Sequence, residues 1–225
     1  MNFLFWLMVG LSIFCLLVII IGSLLAAPKY QGAISDHFDG KKFFNYGGVK
    51  PKWIGSIVKL LFTRKPTKWG IPKDIAKKAA VIDTVDDPIF RVTFINHATI
   101  LIQLKGINII TDPVYARAAG LFGLIGPLRK LPPGIVIDDL PPIDYVFISH
   151  NHYDHLDISA IKTIVKKHNP QFITTLGNDL LLKKYTSKVK AIDWWQSIKL
   201  DKKIDLICTP GQHFSSRGLT DRDAN

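Results

Sequence analysis

The sequence predicts a mixed α/β fold in which two β-sheets lie between helices, preceded by a transmembrane helix. Three observations predict it. Short β-type runs crowd the stretch from Phe90 to Thr111, strand-like and helix-like segments alternate from Tyr145 to Thr209, and the first 27 residues form a separate apolar block. A β-meander followed by β–α alternation is the pattern of sheets packed against helices. The expected organisation is a membrane anchor at 1–27, a connector and basic membrane-proximal segment at 28–89, and one folded domain at 90–225.

From Asn2 to Ala27 no residue is charged, and the run exceeds the roughly 20 apolar residues that span a bilayer. A cleavable signal peptide would have an apolar region of only about 7–15 residues behind a basic stretch. Here no Lys or Arg precedes the run, and Ala26 and Ala27 are followed directly by Pro28, so an uncleaved single-pass anchor is expected. Lys29, Lys41 and Lys42 flank only its C-terminal side, which weakly favours a cytoplasmic domain.

The connector YQGAISDHFDGKKFFNYGGVKPKW is rich in Gly and aromatic residues. Behind it, Ile54 to Phe62 carries apolar residues at helical spacing. Lys50, Lys52, Lys59, Arg64, Lys65 and Lys68 surround this stretch, which suits a helix lying on a membrane surface as well as one docked on the domain. The strands FRVTFI, TILIQLK and INIIT follow, the last two joined by a tight turn at Lys105 and Gly106. A Gly- and Pro-rich loop runs from Ala118 to Pro142, and the buried strand YVFIS delivers the chain to His150. Asp157 is a good N-cap for a helix whose Ile158, Ile161, Ile164 and Val165 recur at helical spacing, with Lys166 and Lys167 at its C-terminal end. QFITT, the helix NDLLLKKY, a strand around VKAID and the strand IDLICT complete the alternation.

Of the 225 residues 48% are apolar, enough for a real core, and 29 Lys and Arg face 18 Asp and Glu for a net charge of +11. A positive surface beside a bilayer is drawn to anionic phospholipid headgroups at about 1 kcal/mol per well-placed cation. The same charge could attract nucleic acid, but the expected partner is the membrane, with a phospholipid as substrate and no nucleic acid. Cys15 and Cys208 lie too far apart in the predicted organisation to pair, so no disulfide framework exists. Gly-rich phosphate loops, nucleophilic Ser elbows and dinucleotide fingerprints are absent from the sequence.

The chemistry-bearing string is ISHNHYDHLD, which sets His150, His152, Asp154 and His155 within six residues at a strand end. Four of the seven histidines fall in two short motifs after predicted strands, the fourth being His213 in TPGQHFSSRG. Imidazole nitrogens and carboxylate oxygens suit Zn²⁺, and a strand-to-loop exit lets alternate residues face one cavity.

ISHNHYDHLD resembles the signature of the metallo-β-lactamase superfamily. The strings SDHFDGKKFFN, INHATILIQ, IITDPVYARAAG, GPLRKLPPGI, LGN, DWW and PGQHFSSRGLTDRDAN extend the resemblance, from about Ser35 to the last residue, to the branch that hydrolyses N-acyl-phosphatidylethanolamine. The resemblance implies an αββα four-layer sandwich with two metal ions at the sheet edge. His150, His152 and His213 would hold the first zinc, Asp154 and His155 the second, with Asp154 also orienting the attacking hydroxide as the catalytic carboxylate. Zinc lowers the pKa of bound water toward about 7, and paired metals about 3.5–4 Å apart suit a phosphodiester.

The sequence lacks two features of that family, a bridging Asp in a GDTGY-like string and a last His further on. The expectation is therefore a fragment with the second half of the sandwich largely missing, holding one zinc where the complete enzyme holds two, and mononuclear or inactive. The missing strands would leave an open sheet edge that favours aggregation. The expected function is a membrane-anchored zinc-dependent phosphodiesterase of the phospholipase D type. Its alternatives are a lactonase or nuclease of the same fold and a non-catalytic remnant.

Asp112 in IITDPV is either a hydrogen-bond partner of a ligand histidine or a turn residue before Pro113. His97 in NHAT could reach the site, but a core histidine is the stronger expectation. Arg217 is either a phosphate contact or a solvated loop arginine. His37 and His168 are expected at the surface or in packing, and Trp194 and Trp195 in the core.

Overall fold

The computed structural model describes residues 3–49, 54–65, 67, 70, 80–201 and 204–225. Helix α1 (Phe3–Leu24) has 22 residues and buries none of them. At 1.5 Å per residue it spans about 33 Å, the thickness of a bilayer's hydrocarbon layer. It is long and apolar enough to cross a membrane. Past its end the chain turns back onto the domain. Ala27 is buried, and Tyr30 stacks edge-on against Phe38 with ring centroids 5.0 Å apart. Helix α2 (Ile54–Thr63) follows the expected amphipathic stretch, and all its described side chains are exposed, so none of them docks on the core. Lys59, Arg64 and Lys65 are exposed too, while Lys50, Lys52 and Lys68 lie outside the described residues.

Strands β1 (Phe90–Asn96), β2 (Thr99–Leu104) and β3 (Ile107–Thr111) form the expected antiparallel meander. Strands β4 (Tyr145–Ile148), β5 (Gln171–Thr175) and β6 (Val189–Ile192) then add in parallel to β3, giving one six-stranded sheet in the order β1 to β6. Parallel neighbours need crossovers. The Gly- and Pro-rich loop supplies the one from β3 to β4, and helix α3 (Ile158–His168) and helix α4 (Asn178–Leu182) supply the next two.

Helix α3 forms where the sequence places it. The Asp157 carboxylate accepts the N–H groups of Ser159 and Ala160 at its start, and Lys166, Lys167 and His168 stand in its last turn. Ala160, Ile161 and Ile164 are buried, and Ile161 and Ile164 pack with Leu101, Ile110, Val146 and Phe172 of the sheet into the main core. On the opposite sheet face Ile107, Ile109, Ile173 and Ile192 pack against the hairpin of β7 (Ser197–Asp201) and β8 (Ile204–Ile207). The described residues thus build three layers of the expected sandwich, helices, a full sheet and two strands of a second sheet. Strand β7 was not foreseen, because SIKLD alternates apolar and charged residues over only five positions.

Topology places the site. In open α/β sheets ligands gather outside the carboxyl ends of parallel strands. β3 ends at Asp112, β4 at Ser149 and His150, and β1, antiparallel to β2 and so parallel to β3, ends at Asn96 and His97.

Candidate metal centre

Strand β4 is buried at Ile148, and the chain leaves it through ISHNHYDHLD. The N–H groups of His155 and Leu156 both donate to the His152 carbonyl, at 3.0 and 2.8 Å, so the loop doubles back over the strand end. Arg217 secures this turn from outside. Its Nη1 donates to the carbonyls of Asn151 (2.9 Å) and Leu156 (2.8 Å), and its guanidinium lies 4.0 Å from the Tyr153 ring centroid. Arg217 is thus partly buried against the loop that carries the histidines, its Nη1 taken by that loop's backbone, rather than a solvated loop arginine.

His213 arrives from the segment after β8. Its N–H donates to Asn45 Oδ1 at 2.9 Å, and its Nε2 lies 3.1 Å from His152 Nδ1. His150 Nε2 lies 2.9 Å from that same His152 nitrogen. The three ligand nitrogens lie within 4.8 Å of one another. Burial first, then the neighbouring imidazoles, hold His150 well below the ordinary histidine range and push His152 down to about 4, with Asp154 opposing the shift at His152. Neutral imidazole is the form that binds a metal. Three imidazoles whose nitrogens meet at one point fit a tetrahedral ion with one position open.

Beside them stands a second group, His97, Asp154 and His155, with ligand atoms again within 4.8 Å of one another. The rings of His150 and His155 are 4.1 Å apart, so the two groups adjoin. His155 Nδ1 lies 2.8 Å from Asp112 Oδ2. Ser149 donates its N–H to Asp112 Oδ1 and its hydroxyl to Oδ2, both at 2.7 Å. Burial opposes protonation of His155, but the Asp112 hydrogen bond and charge, helped by Asp154, leave its pKa raised. Asp112 combines a turn position with a hydrogen bond to a histidine. It occupies a left-handed turn position (φ 34°) before Pro113, and it is buried against a histidine of the cluster.

His97 corrects the expectation of a core histidine. It sits at the tip of the β1–β2 hairpin with φ 40° and a side chain 55% exposed, where the fold offers no interior to enter, and its Nε2 is 3.2 Å from Asp154 Oδ2. His37 is a packing residue, held between Asp36 (2.6 Å) and Asp193 (2.9 Å) and stacked on Trp194 at 4.2 Å. The expectation of two core tryptophans is corrected: Trp194 is half-buried, stacked on His37 at the cavity wall, and Trp195 is exposed, its left-handed φ of 65° carrying it off the strand end.

Sequence reasoning missed three residues. Ser149 was read only as part of a string, and Asn45 only as the end of SDHFDGKKFFN. Asp221, with no exposed surface, accepts N–H groups from Ala27 (2.8 Å), Arg217 (3.0 Å) and Gly218 (2.8 Å), tying the exit of α1 to the segment that carries His213. No local signal marks such a hub, since its partners are up to 194 positions away. A cavity of about 640 Å³ opens beside the histidines, with His150 and His213 on one wall and Phe43, Phe44, Val49 and Trp194 among its apolar lining.

The chain is 34% identical over 218 residues to N-acyl-phosphatidylethanolamine-hydrolyzing phospholipase D 1 of Caenorhabditis elegans, covering 88% of this chain and 59% of the worm protein. It is 26% identical to the mitochondrial N-acyl-phosphatidylethanolamine-hydrolyzing phospholipase D of Saccharomyces cerevisiae, covering 79% of this chain and 42% of the yeast protein. The chain therefore spans less than two thirds of the length of these relatives. Among solved structures, a metallo hydrolase from the archaeon Ignicoccus hospitalis matches 58% of this chain and 53% of its own at 18% identity, with a TM-score of 0.44. The model of the β-lactamase superfamily domain matches residues 107–225, more than half of the chain and all of the segment from β3 through His213, and the protein is a member of the metallo-β-lactamase superfamily.

Proposed function

We propose that this chain carries the metal-binding part of a membrane-anchored, zinc-dependent phosphodiesterase that acts on N-acylated phospholipids. The observation that carries the proposal is the meeting of His150, His152 and His213 beside a cavity with mostly apolar walls. His150, His152 and His213 would hold one zinc ion, with Asp154 and His155 as ligands toward a second. Bound zinc supplies a Lewis acid for the phosphoryl oxygens and a nucleophile from water at neutral pH.

The chain's own groups do the rest. Asp154 lies between the two histidines of its group and would orient the attacking water. Asp112 keeps the His155 proton on Nδ1 and so leaves Nε2 free to bind. The apolar cavity wall, with Phe43, Phe44 and Trp194, would take the acyl chains and exclude water from the headgroup. Helix α1 would fix the domain to the bilayer that supplies the substrate, and the basic flank of Lys29, Lys41 and Lys42 favours the cytoplasmic face.

The test is hydrolysis by the full chain in detergent, loaded with zinc, offered N-acyl-phosphatidylethanolamine vesicles, a lactone and RNA in parallel. Release of an N-acylethanolamine, abolished by His213→Ala, is expected. Cleavage of the lactone or RNA with the phospholipid untouched ends the lipid proposal, and bound zinc with no turnover of any substrate makes the chain a non-catalytic remnant. Alkaline extraction should leave the protein in the membrane pellet, and its release would remove the anchor.

A further inference from the structure

The Gly- and Pro-rich loop between β3 and β4 carries apolar side chains that line neither the metal centre nor the cavity beside it. We infer that this loop is a second membrane contact, with residues 121–128 set among the lipids of an anionic bilayer and Arg117 and Lys130 against its headgroups. The inference rests on the reading of α1 as a membrane anchor and is independent of the substrate.

Composition is the first support. From 116 to 136 the chain reads ARAAGLFGLIGPLRKLPPGIV, with three cations and no carboxylate. Phe122 is 68% exposed, Leu124 76%, Ile125 63% and Leu128 51%. Single exposed apolar residues are ordinary, but four so close together form a patch of the kind that marks an interaction surface. Lipid suits both halves of this pattern, since acyl chains take the apolar side chains and anionic headgroups take the exposed Arg117 and Lys130.

The exposure is also built into the loop. Arg129 N–H donates to the Arg117 carbonyl (2.8 Å), Ala119 N–H to Pro127 (2.9 Å) and Ala118 N–H to Gly123 (2.9 Å), so the segment is cross-braced by its own backbone. Gly120 has no room for a side chain, because a Cβ there would lie 2.2 Å from the Ile125 carbonyl oxygen. Phe122 holds a left-handed φ of 55°, unfavourable for a bulky residue, and its ring gains no burial in return. A loop shaped only to close on itself would turn that ring inward.

Placement is the third support. Arg129 Nη2 donates to the Val114 and Ala116 carbonyls (2.9 and 3.0 Å), and Gly134 N–H donates to the Ile95 carbonyl near the end of β1 (2.8 Å). The loop thus leaves and rejoins the domain at the sheet edge that holds the histidines. Helix α1 ends there too, since Ala27 N–H donates to Asp221 and Leu219 N–H to the Gly22 carbonyl, both on the segment that follows His213. The competing occupant is a second copy of this chain. A symmetric contact brings the same patch against itself, which would set Arg117 and Lys130 of one copy against those of the other. A bilayer supplies anions instead.

The experiment places a nitrobenzoxadiazole label on Leu124→Cys in the full chain with Cys15→Ala and Cys208→Ala, reconstituted in vesicles of phosphatidylcholine with or without phosphatidylserine. Ser187→Cys, exposed before β6 at the opposite sheet edge, carries the control label. In the anionic vesicles the loop label should resist aqueous iodide and be quenched several-fold more by acyl-chain nitroxide lipids than the control. Arg117→Ala and Lys130→Ala should each weaken insertion roughly fivefold there. Phe122→Asn, which keeps the left-handed turn, should return the label to water. If Leu124→Cys fails to fold, Ile125→Cys gives the same reading. A loop label open to iodide on protein that still floats with the vesicles overturns the inference and leaves the anchor intact. A label shielded from both quenchers, with cross-links between copies, overturns it in favour of a protein contact, and equal quenching in neutral and anionic vesicles overturns the anionic partner. Wild type that fails to float removes the anchor and this inference together.

Discussion

Asp112→Asn alters one carboxylate and leaves the backbone in place, because asparagine accepts the left-handed φ of 34° that Asp112 adopts. The native carboxylate receives three hydrogens, from Ser149 N–H, Ser149 Oγ–H and His155 Nδ1–H. An amide offers one acceptor oxygen and two donors. If its oxygen stays on Ser149 N–H, its NH₂ confronts His155 Nδ1, and the imidazole can bond only by becoming an acceptor there. The proton then resides on Nε2, the nitrogen proposed to bind metal. If the amide flips, NH₂ confronts Ser149 N–H and a buried donor goes unsatisfied, at about 1–3 kcal/mol. Loss of a carboxylate behind a metal-bound histidine weakens binding roughly 10–100-fold, which is about 1.4–2.7 kcal/mol. Competition titration with a zinc chelator, run on wild type and Asp112→Asn in the same detergent, measures that change for the ion held by His155. Affinity within threefold of wild type would refute the tautomer reasoning.

Asp157→Ala should lower stability by about 3–5 kcal/mol, since the buried carboxylate caps α3 and also accepts the N–H groups of Tyr115 and Ala116. A melting temperature lowered by roughly 10 °C is expected in thermal scans. Arg217→Ala removes both hydrogen bonds that clasp the His152 turn and should cost about 2–3 kcal/mol. Zinc affinity at the three-histidine site should fall with it in the same titration, while an unchanged affinity would show that the loop holds its shape unaided. Metal-free protein should lose stability as pH falls from about 6.5 toward 4. His150 and His152 have depressed folded-state values, so their contribution is present above the unfolded histidine pKa, and below it the unfolded chain binds more protons. The raised pKa of His155 contributes stability that is fully present below 6.5 and lost only as pH rises through its folded value, so it leaves that window undisturbed. Denaturant midpoints in chelator at pH 7, 6, 5 and 4 check the slope, and added zinc should steepen it.

Local chemistry explains which parts of the molecule could be read in advance. The Asp157 cap, the Ile161 and Ile164 stripe and the turn at Lys105 and Gly106 depend on neighbours within a few residues, and all form as expected. The histidine string was legible because four ligand-type side chains in six positions need no tertiary information to stand out. His97 was misplaced because only the pairing of β1 with β2 and β2 with β3 brings its hairpin to the site edge. The backbone contacts of Arg217 were invisible for the same reason, since its partners Asn151 and Leu156 are over 60 positions away. Asp221 and Asn45 act through backbone groups whose position only the folded chain defines.

The Asp221 hub has a practical consequence for anyone seeking a soluble preparation. Trimming the greasy N-terminus is the usual remedy for such a protein, yet the carboxylate that steadies the His213 loop takes one of its hydrogens from Ala27, and Leu219 N–H leans on the Gly22 carbonyl at 2.9 Å. A cut placed before Gly22 keeps both footholds. One placed after Ala27 leaves Asp221 short of a donor and gives a protein that dissolves well and chelates poorly.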